Sequence, residues 1–206
     1  MIRVSPSIAS ADPLNLKGAV KFVERCGYED LHVDIEDGNF IPNITFGMKT
    51  VRALRGITSL PFSFHLMVAR PETFLEEILP LRPSIIFVHI EALAYPSSFV
   101  ARLREAGVRS GLALNPKTPI GPLSYVLGDL DAVLIMTSEP DGHGQSFLPT
   151  VLEKIQEAKR LSASVEIWVD GGIRHPQLEV LESCGVGVSV MGRAVFEGEG
   201  LAGKNQ

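Results

Sequence analysis

One short apolar run carries polar side chains of the types that bind metals or transfer protons. Within residues 31–38, His32, Asp34 and Glu36 occupy every second position. Side chains of a β-strand alternate between its two faces, so a strand here places all three on one face. Burying such groups costs free energy unless an ion or another ligand compensates their charge. The spacing therefore indicates a ligand-binding face.

Similar groups end two other apolar runs, His65 in one and Asp170 in the other. A single buried histidine is more often a hydrogen-bonded structural residue than a metal ligand. Two imidazoles and two carboxylates at the ends of three strands change that balance, because together they suit a divalent transition metal such as Zn, Fe, Mn or Co. His89 follows a fourth run and could belong to the site, but it is interpreted as structural. His143 and His175 are interpreted as loop residues.

Eight apolar runs of strand length would position these groups. They are residues 2–8, 31–35, 62–66, 85–90, 109–114, 132–136, 165–169 and 186–191. Helix-like apolar spacing lies between them, as in residues 14–26, 73–79, 99–106 and 148–161. Repetition of strand and helix predicts a parallel sheet, and near-continuous apolar strands indicate a sheet covered on both faces.

Eight such units predict an α/β fold, namely a parallel, eight-stranded (β/α)8 TIM barrel that residues 1–206 form as a single domain. An open doubly wound sheet is disfavoured, because no GxGxxG or GxxxxGK[ST] motif follows a strand. Only residues 193–206 follow the last run, and the Glu-Gly-Glu-Gly segment within them predicts a shortened C-terminal helix. In such barrels the carboxyl ends of the strands carry the active site.

Composition narrows the possible partners. A formal charge of −5 without a run of Lys or Arg argues against nucleic-acid and membrane-surface binding. The apolar runs are far shorter than the roughly 20 residues of a membrane span, and residues 1–7 do not form a signal peptide, so a cytoplasmic protein is expected. Cys26 and Cys184 are far apart and each precedes a helix-ending glycine, which favours small structural residues over a disulfide or a zinc site.

Several longer motifs support a family resemblance. They are Pro6-Ser7-Ile8, His32-Val33-Asp34, Asp37-Gly38, residues 40–47, His65-Leu66-Met67, Leu114-Asn115-Pro116, Gly144-Gln145, Phe147 with Pro149, and Val169-Asp170-Gly171-Gly172. Through these motifs the chain resembles the ribulose-phosphate 3-epimerase family along most of its length. The resemblance implies a metal-dependent barrel that epimerises a ketose phosphate at C3. It also implies one divalent cation, a small sugar phosphate as ligand and a homo-oligomer.

The resemblance also implies roles for individual residues. It places the metal ligands at His32, Asp34, His65 and Asp170. Asp34 and Asp170 would be the catalytic acid and base, one on each face of a planar enediolate that the metal stabilises. The phosphate would be held largely by backbone amides and helix N-termini. The implied substrate contacts are Ser7, His65, Met67, Met136, Gly142, Gly144, Gly171, Gly172, Gly192 and Arg193.

Three departures from the family pattern bear on specificity. Glu36 replaces a usual Met and could bind the metal, repel the neighbouring carboxylate or pair with a cation. The glycine-rich phosphate loop appears as residues 139–145, where Asp141 adds a negative charge and His143 a hydrogen-bond donor. Arg193 replaces a small polar residue and is equally a phosphate ligand or a solvated residue at a helix start. These departures are similar to those of the SgcE-type epimerase-like branch found with carbohydrate-uptake genes.

The function expected from the resemblance is a metal-dependent sugar-phosphate 3-epimerase. Its substrates would be ribulose 5-phosphate and xylulose 5-phosphate, or a related ketose phosphate. One alternative is a metal-assisted lyase or decarboxylase on the same barrel. The other is a non-catalytic sugar-phosphate-binding protein in which Glu36 and Asp141 have abolished turnover.

Overall fold

The computed structural model describes residues 1–141, 143 and 146–197. Eight parallel strands form one sheet in the order β1-β8-β7-β6-β5-β4-β3-β2. They are β1 (Arg3–Pro6), β2 (Leu31–Glu36), β3 (Phe62–Met67), β4 (Pro83–His89), β5 (Arg109–Leu114), β6 (Ala132–Met136), β7 (Glu166–Asp170) and β8 (Val188–Met191). A parallel bridge between Ser7 and His32 joins the β1 and β2 edges, which closes the ring. The predicted parallel eight-stranded barrel is confirmed.

Among the described residues, seven α-helices follow strands of the barrel. They are α1 (Leu16–Arg25), α2 (Met48–Arg55), α3 (Leu75–Ile78), α4 (Pro96–Glu105), α5 (Val151–Leu161), α6 (His175–Ser183) and α7 (Arg193–Phe196). The last of them has only four residues, in line with the predicted short C-terminal helix, and residues 198–206 lie outside the described part. No described helix is both long enough and apolar enough to cross a membrane.

The alternation of strand and α-helix is interrupted once. Between β5 and β6, where every residue is described, the chain forms two short 3-10 turns, Gly121–Leu123 and Leu127–Asp129, and no α-helix. Proline cannot donate the backbone hydrogen bond that a helix interior requires, and glycine is a poor helix former. This connection holds three prolines and two glycines, Pro116, Pro119, Gly121, Pro122 and Gly128.

The core has two layers, which the alternation of side chains along each strand separates. Inside the barrel, an apolar cluster contains Ile85, Phe87, Ala113, Ala132, Leu134, Met136, Trp168, Val188 and Val190. Between the strands and the helices lies a larger cluster, to which Val33, Ile35, Ile86 and Val88 belong. Because Val33 and Ile35 of β2 belong to this outer cluster, the residues that alternate with them, His32, Asp34 and Glu36, face the barrel interior.

Cys26 and Cys184 lie at the carboxyl ends of α1 and α6, and neither forms a disulfide. Each is partly buried. Their positions agree with the interpretation of both as small residues at helix ends.

Candidate active site and metal centre

Strands β2, β3 and β7 bring four potential metal ligands together. His32, Asp34, His65 and Asp170 can each turn one ligand atom toward a common centre, and these atoms lie within 4.8 Å of one another. His32, Asp34 and His65 are buried, whereas Asp170 is partly exposed. The residues that are distant in sequence therefore meet at one point of the barrel mouth.

Asp34 is the most heavily contacted member of this group. Its Oδ1 lies 3.1 Å from His65 Nδ1 and 3.4 Å from His32 Nε2. Ser7 Oγ donates to its Oδ2 at 2.5 Å. Burial alone would raise the pKa of Asp34, but the adjacent His32 and His65 outweigh it and hold this pKa well below its usual range. Asp34 is therefore a carboxylate at neutral pH.

Asp170 reaches the same histidine from another strand. Its Oδ2 lies 3.3 Å from His65 Nδ1. The end of β7 is fixed by Thr137, whose backbone N–H and Oγ1–H donate to the Asp170 carbonyl at 2.6 and 3.0 Å. The Asp170 carboxylate therefore projects from a strand end that Thr137 holds in place.

The His65 ring lies between the two aspartates. Burial would lower the pKa of His65, but its hydrogen bonds to Asp170 and Asp34 outweigh burial and raise this pKa to about 9. A protonated ring compensates the two carboxylates. A divalent cation at Nδ1 can provide the same compensation, because neutral imidazole binds metals through its lone pair.

His32 gives a direct test of whether the group fits a metal ion. Its Nδ1 lies 2.8 Å from Ser63 Oγ, and Ser63 Oγ–H donates to Asp30 Oδ2 at 3.3 Å. The Ser63 oxygen can then accept from His32 Nδ1–H, and in the neutral form of His32 the lone pair lies on Nε2. That nitrogen is buried and makes no hydrogen bond. A cation at the common centre would satisfy it, and the mixed imidazole and carboxylate donors fit a transition metal.

Glu36 stands next to this group on the same face of β2. Burial and the like charge of Asp34 raise the pKa of Glu36 to about 7, although Asn43 Nδ2–H donates to its Oε2 at 2.6 Å. Glu36 lines the cavity, as Asp34 and Asp170 do. The structure therefore places a third carboxyl group at the wall of the same site.

A cavity of about 390 Å³ opens above the four residues. The candidate substrate contacts that line it are Ser7, Met67, Met136, Gly171, Gly172, Gly192 and Arg193. His65 is fully buried and reaches the cavity only through Asp34 and Asp170. The volume is sufficient for a small sugar phosphate, and it falls in the range of small-molecule sites.

Three glycines, Gly171, Gly172 and Gly192, also line the cavity. Gly171 has φ +114°, and a Cβ there would overlap Ser138 Oγ. A Cβ at Gly192 would overlap Ser10 Oγ. These close approaches favour glycine at both positions, so the backbone there carries no side chain of its own.

The remaining candidate residues belong to the segment after β6. Asp141 and His143 are described, and neither contributes to the cavity lining; His143 is exposed and its N–H donates to Asp141 Oδ1 at 2.9 Å. Gly142 and Gly144 lie outside the described residues.

Sequence reasoning missed several residues of the site. Those that line the cavity include Ser10, Asn43, Thr45, Ser138, Glu139, Arg174 and Glu197. Those that contact the two histidines include Ser63 and His89. Ser63 could have been found, because it stands two residues before His65 and so shares its face of β3. His89 ends β4, and its contact with His65 depends on the pairing of two strands; most of the others lie outside the strands, where no periodicity predicts which side chains face inward.

Comparison with known proteins identifies the family of this chain. Residues 3–196 match the sequence model of the Ribulose-phosphate 3 epimerase family. The chain belongs to the ribulose-phosphate 3-epimerase family. Ribulose-phosphate 3-epimerase from Bacillus subtilis is 38% identical over 201 residues, covering 95% of this chain and 93% of its own length. The Synechocystis protein of the same name is 39% identical over 208 residues, with coverages of 98% and 90%.

Solved structures at low identity support the fold alone. A tryptophan synthase alpha-subunit from Pyrococcus furiosus has a TM-score of 0.71 at 18% identity, covering 100% of this chain and 94% of that chain. N-acetylmannosamine-6-phosphate 2-epimerase from Clostridium perfringens has a TM-score of 0.67 at 12% identity, with coverages of 97% and 89%.

Membership of the ribulose-phosphate 3-epimerase family confirms the predicted resemblance. It also confirms the predicted enzyme class, an isomerase that acts on carbohydrate phosphates.

Proposed function

We propose that the protein is a divalent-metal-dependent 3-epimerase of ketose phosphates, acting on ribulose 5-phosphate and xylulose 5-phosphate or a related ketose phosphate. The observation that carries this proposal is the approach of two carboxylates to one imidazole nitrogen. Asp34 and Asp170 lie 3.1 and 3.3 Å from His65 Nδ1. They come from strands that β1 and β8 separate in the ring.

Epimerisation needs two proton-transfer groups, because the proton must leave from one face of the sugar carbon and return to the other. Asp34 is ionised and accepts the C3 proton in one direction of the reaction, while Asp170 delivers a proton to the other face. The roles exchange in the reverse direction. Ser7 Oγ–H donates to Asp34 Oδ2 and so orients this carboxylate. Met67 and Met136 line the cavity without competing for protons.

The residues that would hold the cation are His32, Asp34, His65 and Asp170. When bound, a divalent cation supplies Lewis-acid stabilisation for negative charge on the ketone and hydroxyl oxygens of the sugar. The protein contributes the fixed positions of these side chains and a mouth that admits the sugar from one end.

The phosphate is proposed to bind at the glycine side of the cavity. Gly171, Gly172 and Gly192 offer backbone there, and Arg193 lines the same wall. Backbone N–H groups bind anions well, and a guanidinium can bind phosphate through two parallel hydrogen bonds.

The decisive experiment is solvent exchange. The protein is loaded in turn with Zn, Fe, Mn or Co and incubated in deuterated water with D-ribulose 5-phosphate and with related pentulose and hexulose phosphates. Deuterium at C3 of at least one sugar is expected. Absence of deuterium from all of them rejects the epimerase. A product of carbon–carbon cleavage identifies the lyase alternative, and binding without exchange identifies a non-catalytic sugar-phosphate-binding protein.

Glu36 is proposed to influence which sugar is preferred. Its carboxylate lies at the cavity wall beside Asp34 and can accept a hydrogen bond from a sugar hydroxyl. Glu36→Met is expected to change the ratio of kcat/KM between a pentulose and a hexulose phosphate by roughly tenfold, the size of one hydrogen bond to a charged group. Glu157→Met on the exposed face of α5 is the matched control. An unchanged ratio rejects the specificity role.

A further inference from the structure

The nitrogen of His65 that faces away from the aspartates contacts a second histidine. His65 Nε2 lies 2.9 Å from His89 Nε2, and both side chains are fully buried. The two rings are stacked, with centroids 5.0 Å apart and planes inclined by 22°. Two imidazole nitrogens at this distance must share one proton, so one donates and the other accepts.

Glu91 decides which nitrogen donates. His89 Nδ1 lies 3.3 Å from Glu91 Oε2. A carboxylate can only accept, so His89 Nδ1 carries the proton of this contact. A neutral His89 then has its lone pair on Nε2 and accepts from His65 Nε2–H. Glu91, His89 and His65 form one directed chain of hydrogen bonds.

The other carboxylate oxygen of Glu91 accepts two hydrogen bonds, which hold this side chain in place. Asn115 N–H donates to Glu91 Oε1 at 2.9 Å, and Thr118 Oγ1–H donates to the same oxygen. Lys154 Nζ in turn donates to the Asn115 carbonyl at 2.6 Å. The Glu91 side chain is 21% exposed, whereas His89 is fully buried beneath the Phe40 ring, whose centroid is 4.7 Å away. The chain therefore runs from the edge of the β5–β6 connection into the barrel.

We propose that His89 and Glu91 are positioning residues for the candidate metal centre, which hold the His65 ring with its Nδ1 facing Asp34 and Asp170. The inference rests on the proposed function through the cation that these ligands would hold. A proton fixed on Nε2 leaves Nδ1 as the ligand atom. Outer carboxylate–histidine contacts of this kind orient metal-binding imidazoles and strengthen their binding.

Simple packing is the competing explanation, since His89 also stacks on His65. Two substitutions separate the explanations. His89→Phe keeps an aromatic ring but removes the acceptor. His89→Gln removes the ring but provides an amide oxygen that can accept from His65 Nε2–H. If packing alone matters, Phe should be the better replacement; if the hydrogen bond matters, Gln should be.

The experiment measures Co²⁺ affinity by calorimetric and visible absorption titration. His89→Phe and Glu91→Gln are each expected to weaken Co²⁺ binding by roughly tenfold to a hundredfold. His89→Gln should recover part of that loss. Glu166→Gln is the matched control, because this carboxylate also accepts from a ring N–H, that of Trp168 at 2.8 Å, but at the opposite end of the barrel. Its Co²⁺ affinity should match that of the unmodified chain.

A second measurement reads the tautomer directly. Two-dimensional ¹H–¹⁵N NMR of the imidazole rings in the Zn²⁺-loaded protein should show His65 protonated at Nε2 and not at Nδ1. Protonation at Nδ1 in that state overturns the inference. If His89→Phe does not fold, the substitution at the partly exposed Glu91 carries the affinity test.

The outcomes distinguish this inference from the proposed function. Unchanged Co²⁺ affinity in both Glu91→Gln and a folded His89→Phe overturns the positioning role while leaving the epimerase intact. Absence of Co²⁺ binding by the unmodified chain rejects both the metal centre and the positioning role. The expected affinities together with no deuterium exchange at C3 support the positioning role and reject the epimerase.

Discussion

The two ends of the cavity are built in different ways. At one end, side chains from β2, β3 and β7 meet in a buried group whose members are fixed by contacts of 2.5 to 3.4 Å. In a second part of the wall, here called the glycine end, Gly171, Gly172 and Gly192 present backbone, and loop residues complete the wall. The first end depends on charges and lone pairs in fixed places. The second depends on the absence of side chains.

This difference separates the effects of two kinds of substitution. An isosteric change of charge should act strongly at the buried end, where each charge is compensated by a specific neighbour. Added volume should act strongly at the glycine end, where a single Cβ meets another loop. Substitutions that change charge at the buried end or volume at the glycine end therefore test this difference.

The largest effect is expected for the two aspartates. Asp34→Asn and Asp170→Asn should each lower the rate of C3 deuterium exchange by about 10²- to 10⁴-fold, because each removes one of the two proton-transfer groups. Circular dichroism should show that both variants keep the fold. Near-normal exchange in either variant contradicts the two-base scheme.

Removal of the metal should come next. A chelator is expected to lower the rate of exchange, by less than either aspartate substitution does, and Co²⁺ or Zn²⁺ should restore it. Added cation should also stabilise the protein by about 2.7 kcal/mol at a concentration 100 times the Kd, measured by thermal unfolding. His32→Gln should reduce this stabilisation. An equal stabilisation of the variant would place the bound cation elsewhere.

An intermediate effect is expected from added volume at Gly171. Gly171→Ala combines a positive φ with overlap of Ser138, so it should destabilise the fold by about 1–3 kcal/mol and raise KM for the phosphorylated substrate. Gly27→Ala is the control for conformation alone, because Gly27 has φ +72° and no atom within 4 Å of its Cβ position. Gly121→Ala, with open space and no positive φ, should be nearly neutral. Equal losses of unfolding free energy at Gly171 and Gly27 would show that the contact with Ser138 does not contribute to the destabilisation.

The smallest effect is expected at the rim of the glycine end. Arg193→Gln should raise KM roughly tenfold, by the loss of a charge-assisted hydrogen bond to phosphate, and leave kcat nearly unchanged. Steady-state kinetics measure both parameters. Arg160→Gln on α5 provides an arginine outside this cavity for comparison. A fall in kcat without a change in KM would assign Arg193 to the chemical step.

Much of the fold can be predicted from periodicity. The alternation of His32, Asp34 and Glu36 with apolar residues predicts an inward polar face of β2, and the eight apolar runs predict the eight strands. The connection between β5 and β6 departs from the strand-and-helix pattern because its prolines and glycines prevent an α-helix.

The site is less accessible to sequence reasoning, because contacts between strands are not local. His89 resembles an ordinary buried histidine in the sequence, and only the pairing of β3 with β4 brings it against His65. The need for glycine at position 171 likewise depends on Ser138, which follows a different strand. Residues such as Ser10 and Arg174 come from loops whose paths no repeat specifies.

The bridge between Ser7 and His32 links assembly of the barrel to its chemistry. The segment that completes the ring also supplies the hydroxyl that donates to Asp34. On the same strand Arg3 pairs with Asp30 at 3.1 Å. A substitution that weakens the attachment of β1 would therefore disturb proton transfer by displacing the Ser7 hydroxyl, even though the replaced residue never touches the sugar.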